Sequence, residues 1–316
     1  MFYSTEHTLF EQQKHIDDFF TQQVTKQHLA TPSGNLYYGY AIPTQAHTAI
    51  VISSGRIEGL DKYRELIWEL YNNNYAVFIA DHQGQGRSYR ALKNPHKGFV
   101  NVFSDYANDL AIFDSTIIAQ HWQGKKVMLG HSMGGAIAFN FLTQFDNNYS
   151  GVFLSAPMFD IYTKGTPKPI AKLVAKIACF IGLNKSYALG QGNYKPETFA
   201  QNTLTSSEVR YQLFRQIYQQ EPSVQLGGVT YGWLNAAFKF IKDAPNSTLP
   251  IPLFIASAQL DTVVDNKAQQ NITHLQKNAI LETFSDAKHE LLFEQDSIRK
   301  AVLTRFYEFC DSVTST

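Results

Sequence analysis

Cysteine is scarce in this sequence, and no part of it is apolar for long. The two cysteines, Cys179 and Cys310, have neither the spacing of a zinc site nor that of a disulfide framework. No window approaches the ~18 apolar residues of a membrane-spanning helix. The first residues, MFYSTEHTLFEQQKH, lack the basic start and apolar run of a signal peptide. We therefore expect a reduced, cytoplasmic, soluble protein.

Charge of one sign is also lacking. Lys and Arg together number 27, and so do Asp and Glu, which gives no general attraction to nucleic acid. Gly84-Gln85-Gly86 lacks the rest of a dinucleotide fingerprint, and no glycine-rich segment ends in the Gly-Lys-Ser/Thr of a phosphate-binding loop. His289-Glu290 is not followed by a second histidine at helical spacing. We therefore expect chemistry without a cofactor or a metal.

Strand and helix patterns alternate along most of the 316 residues, and 44% of these are hydrophobic, as in a globular protein. This alternation predicts an α/β fold, with helices flanking a mostly parallel central sheet. The predicted strands are 35–42, 47–53, 75–80, 127–129, 151–155, 252–257 and 280–284, and the main predicted helices are 5–28, 61–73, 103–122, 136–142 and 296–311.

The alternation stops after Pro157. Residues 158–245 contain several helical or irregular pieces and no clear strand pattern, and the pattern resumes at 252. We therefore predict an insertion at 158–245 within one α/β domain made of residues 1–157 and 246–316, rather than two domains in tandem.

A nucleophile motif lies at the centre of the chain. Residues 130–134 read GHSMG, between the apolar run 127–129 and the helix-compatible segment 136–142. This G-x-S-x-G in a strand–turn–helix context is typical of a nucleophile elbow, which exposes a serine at the carboxyl end of a strand. The alternative is a glycine-rich turn in which Ser132 merely caps a helix. The flanking pattern favours the elbow.

A serine nucleophile needs a base, and the base needs an acid to orient it. In this architecture both follow later strands, in the order serine, acid, histidine. Asp261 and His289 come after the last two predicted strands. Asp265 competes for the acid role, and we prefer Asp261 because it follows the strand sooner and precedes two valines that anchor its loop. We expect His131, beside Ser132, to pack on the opposite side of the turn.

The reaction intermediate also needs two amide donors for its oxyanion. The Met133 amide, at the start of the helix, is one. The second is expected after strand 47–53, where Gly55 allows close approach to the substrate, and we assign the Arg56 amide. An ordinary strand-to-helix turn is the alternative at this position.

Three motifs together resemble the monoacylglycerol lipase and bacterial lysophospholipase family of α/β-hydrolases. They are residues 130–135 (GHSMGG), 81–88 (DHQGQGRS), and Asp261 with Val263 and Val264. Residues 54–58 (SGRIE), 156–159 (APMF) and 263–266 (VVDN) look most like the bacterial inner-membrane lysophospholipase branch. Many relatives have His-Gly where this chain has Ser54-Gly55.

This resemblance implies an α/β-hydrolase fold in which residues 158–245 form a cap, or lid, over an acyl pocket. It implies Ser132 as nucleophile, Asp261 and His289 as its partners, and the Arg56 and Met133 amides as the oxyanion hole. The expected activity is serine-dependent hydrolysis of a carboxylic ester in a single-chain lipid, lysophospholipid first and monoacylglycerol second. A short-chain carboxylesterase, a proline-specific aminopeptidase and a non-enzymatic receptor of the same fold are the alternatives. The oligomeric state is left open.

The predicted cap is basic in an otherwise balanced chain. Residues 157–200 hold two acidic residues, Asp160 and Glu197, and six lysines, at 164, 168, 172, 176, 185 and 195. A helix over 169–181 would have one apolar face, with Lys172 and Lys176 on another. Such a helix suits peripheral contact with an anionic membrane, here the inner membrane. Packing of the apolar face on the catalytic domain is the alternative, and we expect it at rest.

Overall fold

One eight-stranded sheet forms the centre of the computed structural model, which describes residues 1–163 and 165–315; Lys164 therefore lies outside the described residues. The spatial order of the strands is β1-β2-β4-β3-β5-β6-β7-β8. The first pairings, β1 with β2 and β2 with β4, are antiparallel, and the others are parallel. The strands are β1 Thr25–Thr31, β2 Gly34–Ala41, β3 Thr48–Ser53, β4 Tyr75–Ala80, β5 Lys125–His131, β6 Tyr149–Ser155, β7 Leu253–Ala258 and β8 Ala279–Phe284.

Helices cover the central strands, since every residue of β3, β4 and β7 is buried. The helices are α1 Glu6–Gln22, α2 Arg64–Asn72, α3 Ser104–Phe113, α4 Ala119–His121, α5 Met133–Gln144, α6 Lys168–Phe180, α7 Glu208–Gln220, α8 Tyr231–Asp243, α9 Asn266–Leu275 and α10 Asp296–Thr314. A π-helical turn, Asp114–Ile118, joins α3 to α4. The prediction of a mostly parallel sheet flanked by helices is confirmed.

The N-terminal helix is shorter than predicted. It ends at Gln22, and residues 25–28, which we expected in the helix, belong to β1. This strand pairs with β2 alone at the edge of the sheet, and most of its side chains are partly exposed. An edge strand of this kind has no sustained apolar run to mark it, so its backbone pairing with β2 decides its conformation.

The segment 158–245 holds α6, α7 and α8, and its described residues contribute no strand to the sheet. Isolated β-bridges connect it to the rest of the chain at Gly98 with Val229 and at Ile161 with Val264. None of the helices in the described part of the chain is both long and apolar enough to cross a bilayer.

The apolar face of α6 points to solvent, so our expectation that it packs inward is wrong. Leu173 is 56% exposed and Phe180 is 91% exposed, and Ile170, Ile177 and Ile181 are exposed as well. The buried residues of α6 are small, Ala175 and Ala178, and α6 packs against α8. Small side chains allow two helices to approach closely, and this packing leaves the large apolar residues outside.

A buried ionic cluster connects the first residues of the chain to its last helix. Arg299 of α10 donates to Glu69 of α2 at 2.7 Å, and the Ser4 hydroxyl donates to the same carboxylate oxygen at 2.7 Å. Arg210 of α7 pairs with Glu65 at 2.9 Å. All five side chains are buried, so α2, α7, α10 and the N-terminus are held together by charged hydrogen bonds shielded from water.

Candidate active site

Ser132 lies on a strained turn between β5 and α5. Its backbone φ is +52° and ψ is −121°, a conformation that side-chain-bearing residues rarely adopt. A Cβ atom on Gly134 would lie 2.0 Å from the Ser53 carbonyl oxygen, and one on Gly130 would lie 2.8 Å from the Cα of Gly135. Glycine is therefore required on both sides of Ser132, as a nucleophile elbow demands.

The structure brings Ser132, His289 and Asp261 into one hydrogen-bonded chain. The Ser132 Oγ is 2.8 Å from His289 Nε2, and His289 Nδ1 is 2.7 Å from Asp261 Oδ2. Because an ionised Asp261 only accepts, Nδ1 carries the proton and Nε2 accepts from the serine hydroxyl. All three residues are buried, and Ser132 is 8% exposed. This tautomer is the one that a general base for Ser132 requires.

The Asp261 carboxylate is held in its ionised form. Burial alone would raise its pKa, but the hydrogen bond and charge of His289 and the Val263 and Val264 amides outweigh burial and hold the pKa below its ordinary value. The two amides donate to Oδ1 at 2.8 and 3.1 Å, which leaves Oδ2 for the imidazole.

Asp265 has a different set of contacts. Its side chain caps the start of α9 by accepting from the Lys267 amide at 3.0 Å, and its other oxygen accepts from Lys168 Nζ at 2.8 Å. Capping of this kind is a structural role. The geometry therefore supports our preference for Asp261 as the partner of His289.

The two proposed oxyanion donors follow β5 and β3, which are neighbouring parallel strands and end at the same edge of the sheet. Met133 is the first residue of α5, and Arg56 lies in the loop after β3. Neither amide donates to an acceptor within the described residues. The loop is fixed through Gly55, whose amide donates to Glu58 at 2.6 Å and whose carbonyl accepts from Gln85 at 2.7 Å. Two unpartnered amides near a nucleophile can stabilise an oxyanion.

His131 packs, as expected, but its position differs from the prediction. Its ring lies 5.0 Å from the His289 ring instead of on the far side of the turn. Its Nδ1 is 3.1 Å from the Ser155 carbonyl oxygen. Burial lowers the pKa of His131 to about 4, and the nearby Glu58 carboxylate opposes only part of that shift. His131 is therefore a neutral side chain that packs beside the imidazole of His289.

A buried ionic bridge beneath the site was not predicted from the sequence. Lys62 Nζ lies 2.7 Å from Glu58 and 2.6 Å from Glu290, and the Tyr63 hydroxyl donates to Glu58 at 2.7 Å. Burial would raise the pKa of Glu58, but Lys62 and His131 lower it to about 2. Because Glu58 holds the Arg56 loop and Glu290 follows His289, Lys62 ties both loops together. The i,i+4 spacing of Glu58 and Lys62 was the signal available in the sequence.

The fold and the site together define a class of protein. A serine on a strained strand-to-helix turn of a mostly parallel sheet, followed in the chain by an aspartate and a histidine, is the arrangement of an α/β-hydrolase. More particularly, the chain belongs to the family described as serine aminopeptidase, S33, whose model matches residues 44–296. The predicted fold class is confirmed.

The chain is similar to curated proteins over most of its length. It is 31% identical over 297 residues to the probable lysophospholipase L2 of Haemophilus influenzae, which covers 92% of this chain and 93% of that protein. It is 35% identical over 272 residues to the lysophospholipase L2 of Escherichia coli K12. This match covers 82% of this chain and 79% of that protein. The family resemblance predicted from the motifs is confirmed.

The fold is also similar to that of solved structures. A soluble variant of monoglyceride lipase from Saccharomyces cerevisiae, solved in complex with a substrate analog, superposes with a TM-score of 0.72. The superposition covers 92% of this chain and 97% of the yeast chain at 19% sequence identity, which is evidence for a common fold only.

Proposed function

We propose that this protein hydrolyses the carboxylic ester of single-chain lipids, lysophospholipids first and monoacylglycerols second. The observation that carries this proposal is the hydrogen-bonded chain from Ser132 through His289 to Asp261, together with two amides that donate to no acceptor among the described residues. The lysophospholipase L2 relatives support the choice of lipid substrate.

Each residue has a defined step in the proposed reaction. His289 takes the Ser132 proton as Oγ attacks the ester carbonyl, and the Arg56 and Met133 amides donate to the resulting oxyanion. The intermediate collapses to an acyl-enzyme, and His289 gives its proton to the leaving alcohol. Water then attacks the acyl-enzyme by the same route, which releases the fatty acid and restores the serine. Asp261 stabilises the charged imidazole throughout.

The segment 158–245 is proposed to be the cap over the acyl pocket, with residues 1–157 and 246–316 as the catalytic domain. Two features support this division. The segment follows β6, whose carboxyl end lies at the same sheet edge as Ser132, and Ser132 is almost inaccessible to solvent. In this proposal a lipid reaches Ser132 when the segment moves.

Peripheral attachment to an anionic membrane is part of the proposal. The face of α6 that carries Leu173, Ile177 and Phe180 is exposed, and Lys172 and Lys176 are exposed on the same helix. Apolar side chains enter the acyl boundary of a bilayer while lysines meet anionic head groups, each contributing about 1 kcal/mol near the surface. Docking of α6 would bring the proposed cap to the source of the lipid substrate.

A substrate panel with the Ser132→Ala variant tests the activity. Wild-type protein should hydrolyse lysophosphatidylcholine, lysophosphatidylethanolamine or monoacylglycerol and should react with a fluorophosphonate probe, whereas the variant should do neither while keeping its circular dichroism spectrum. Adding His289→Ala should cost little more, because the residues act as a unit. Cleavage of proline-terminated peptides in place of esters would support the aminopeptidase alternative, and a chain that neither labels nor hydrolyses would be a receptor.

Liposome sedimentation tests the membrane contact. Reversing Lys172 and Lys176 to Glu removes about 2 kcal/mol of attraction and adds repulsion from two carboxylates, so binding to phosphatidylglycerol vesicles should weaken by at least about thirtyfold. The matched control reverses Lys125 and Lys277, which are exposed just before or at the amino ends of β5 and β8, at the opposite edge of the sheet. Equal loss in both variants, or unchanged binding in both, would exclude α6 as the docking surface.

A further inference from the structure

The side chain of Arg56 differs from the buried cations of the described structure. Four cations are buried, and each has a carboxylate within 3 Å: Lys62, Lys126, Arg210 and Arg299. Arg56 forms no ion pair with any described residue, and its Nε is buried without an acceptor. Burial lowers the pKa of Arg56 to about 10. Arg56 is half-buried, and since cations withdrawn from water are normally paired, its guanidinium lacks a counter-charge among the described residues.

The Arg56 guanidinium lies between the core and the segment 158–245. Its Nη2 donates to the Gly227 carbonyl, and its Cζ is 5.6 Å from the centre of the Trp233 ring. A Cβ atom on Gly98 would lie 2.6 Å from Nη2, so glycine leaves the room that the guanidinium occupies. The Gly227 carbonyl supplies one acceptor without charge, and the remaining donors suit an anion.

Aromatic hydroxyl groups surround the same position. Burial raises the pKa of Tyr106 and of Tyr218, and the positive charge of Arg56 opposes part of each rise. Tyr218 donates to the Ile57 carbonyl at 2.8 Å, beside Arg56 in the chain. The Tyr218 hydroxyl has no further proton to donate, so these neutral phenols do not supply the counter-charge that the arginine lacks.

The chemistry of the anion that would pair with Arg56 follows from the distance between the guanidinium and the ester. The Arg56 amide is a proposed oxyanion donor, so in this proposal the guanidinium of the same residue lies at most one side-chain length from the ester carbonyl. In a lysophospholipid only the glycerol carbons separate the ester from a phosphate. Arginine binds phosphate oxygens with two parallel N–H donors, a geometry that lysine lacks. A monoacylglycerol brings no charge to this place.

We propose that the Arg56 guanidinium binds the phosphate of the substrate while the Arg56 amide contacts the ester oxyanion. This single residue thereby selects lysophospholipids over monoacylglycerols. The inference rests on the proposed function, because it concerns the polar end of the same substrate. Arg56 is a specificity-determining residue through its side chain and a catalytic residue through its backbone.

The test measures a ratio of substrates. For wild type, Arg56→Met and Arg56→Lys, kcat/KM is determined with lysophosphatidylcholine and with a monoacylglycerol of the same acyl chain. In Arg56→Met the lysophospholipid-to-monoacylglycerol ratio should fall roughly tenfold to a hundredfold, mainly through KM, as expected when a charged hydrogen bond is lost. Arg56→Lys should retain part of the preference. Damage to the oxyanion hole would lower both substrates alike and leave the ratio unchanged, which would overturn the proposal.

A matched control comes from Arg90, which also ties the core to segment 158–245 through carbonyl groups. Its guanidinium donates to Gly86 at 3.0 Å and lies 3.4 Å from the Val224 carbonyl oxygen, without a carboxylate partner among the described residues. Arg90→Met should leave the substrate ratio at its wild-type value. An equal fall in both variants would mean that Arg56 acts by holding the segment, and the phosphate assignment would be wrong.

Inhibition distinguishes a lipid head group from free phosphate. Glycerol 3-phosphate should inhibit monoacylglycerol hydrolysis competitively, and Arg56→Met should lose this inhibition. Stronger inhibition by inorganic phosphate than by glycerol 3-phosphate would indicate a site for the free anion and overturn the assignment. Wild-type protein that hydrolyses monoacylglycerols but not lysophospholipids would also overturn it, while the ester hydrolase function would stand. Failure to hydrolyse any ester would instead refute the proposed function.

Discussion

Replacing Lys62 with methionine should destabilise the fold strongly. The substitution keeps an unbranched apolar side chain and removes the cation. This cation lies 2.6 to 2.7 Å from Glu58 and Glu290 and 4.4 to 4.6 Å from the ring centres of Phe293 and Phe214. The Lys62 side chain is 3% exposed, so water cannot replace it. Removing one partner of a buried ion pair costs about 3–5 kcal/mol, and we expect a loss of that size in the free energy of unfolding.

A more exposed lysine that also has two carboxylate partners provides the control. Lys168 Nζ lies 2.8 Å from both Asp160 and Asp265, but its side chain is 30% exposed. Solvent screens such a pair, so Lys168→Met should cost about 1 kcal/mol or less. Urea unfolding at pH 7, followed by circular dichroism, measures both variants. Equal losses, or a loss below about 1 kcal/mol for Lys62→Met, would refute the reasoning.

A double variant tests the cause of the loss. Adding Glu290→Gln to Lys62→Met removes one of the two stranded charges and should restore part of the stability, because uncompensated burial is the source of the cost. The Lys62→Met penalty should also shrink on acidification, since a carboxyl group without its cation takes up a proton more readily. A double variant less stable than Lys62→Met would contradict this account.

Two further predictions concern the site. Asp261→Asn should lower kcat by about 10⁴, as for the serine protease template, because the amide cannot hold the required His289 tautomer; Asp265→Asn should change kcat far less, and steady-state kinetics would reveal a reversal. Burial lowers the pKa of His131 from 6.5 to about 4, so the unfolded chain binds its proton first as the pH falls. Wild type should therefore lose about 1.4 kcal/mol of stability per pH unit more than His131→Asn between these values. Parallel stability profiles in urea would contradict this.

The central strands were predictable because burial on both faces makes them continuous apolar runs. The predicted strand 75–80 coincides with β4, and 151–155 lies within β6. Strand β1 was not predicted, since its residues TKQHLAT are only partly buried and its one partner is β2. Local pattern therefore locates strands whose environment is uniform, whereas an edge strand depends on a pairing that the pattern does not contain.

Which face of α6 packs against the rest of the protein could not be predicted from the sequence, for a similar reason. Its periodicity separates an apolar face from a basic one, but the same pattern suits a helix packed inward and a helix lying on a membrane. The packing surface turned out to be the one with Ala175 and Ala178. Small residues have little apolar area, so a sequence analysis weighted by hydrophobicity overlooks them.

Some features of the candidate site were likewise predictable from the sequence, and one was not. The Ser132 turn was predictable from adjacent residues, because glycines on both sides are needed for a local conformation. The role of Asp265 was also predictable, as an aspartate just before a helix is a common N-cap. The bridge from Glu58 through Lys62 to Glu290 was not, because it joins segments that only the folded sheet brings together.

The charged cluster that joins the N-terminus to α10 can form only late in the synthesis of the chain. Glu69 and Arg299 are 230 residues apart, so at ribosomal speed roughly 10 to 50 s pass between the two. During that time the emerging α2 presents a carboxylate whose cation does not yet exist, and this part of the core stays hydrated. The hydrogen bond from Arg299 to the Ser4 hydroxyl likewise forms only after Arg299 has been synthesised. A nascent chain that stops before α10 therefore cannot close around Glu69, and a prematurely terminated product would be left open to proteases.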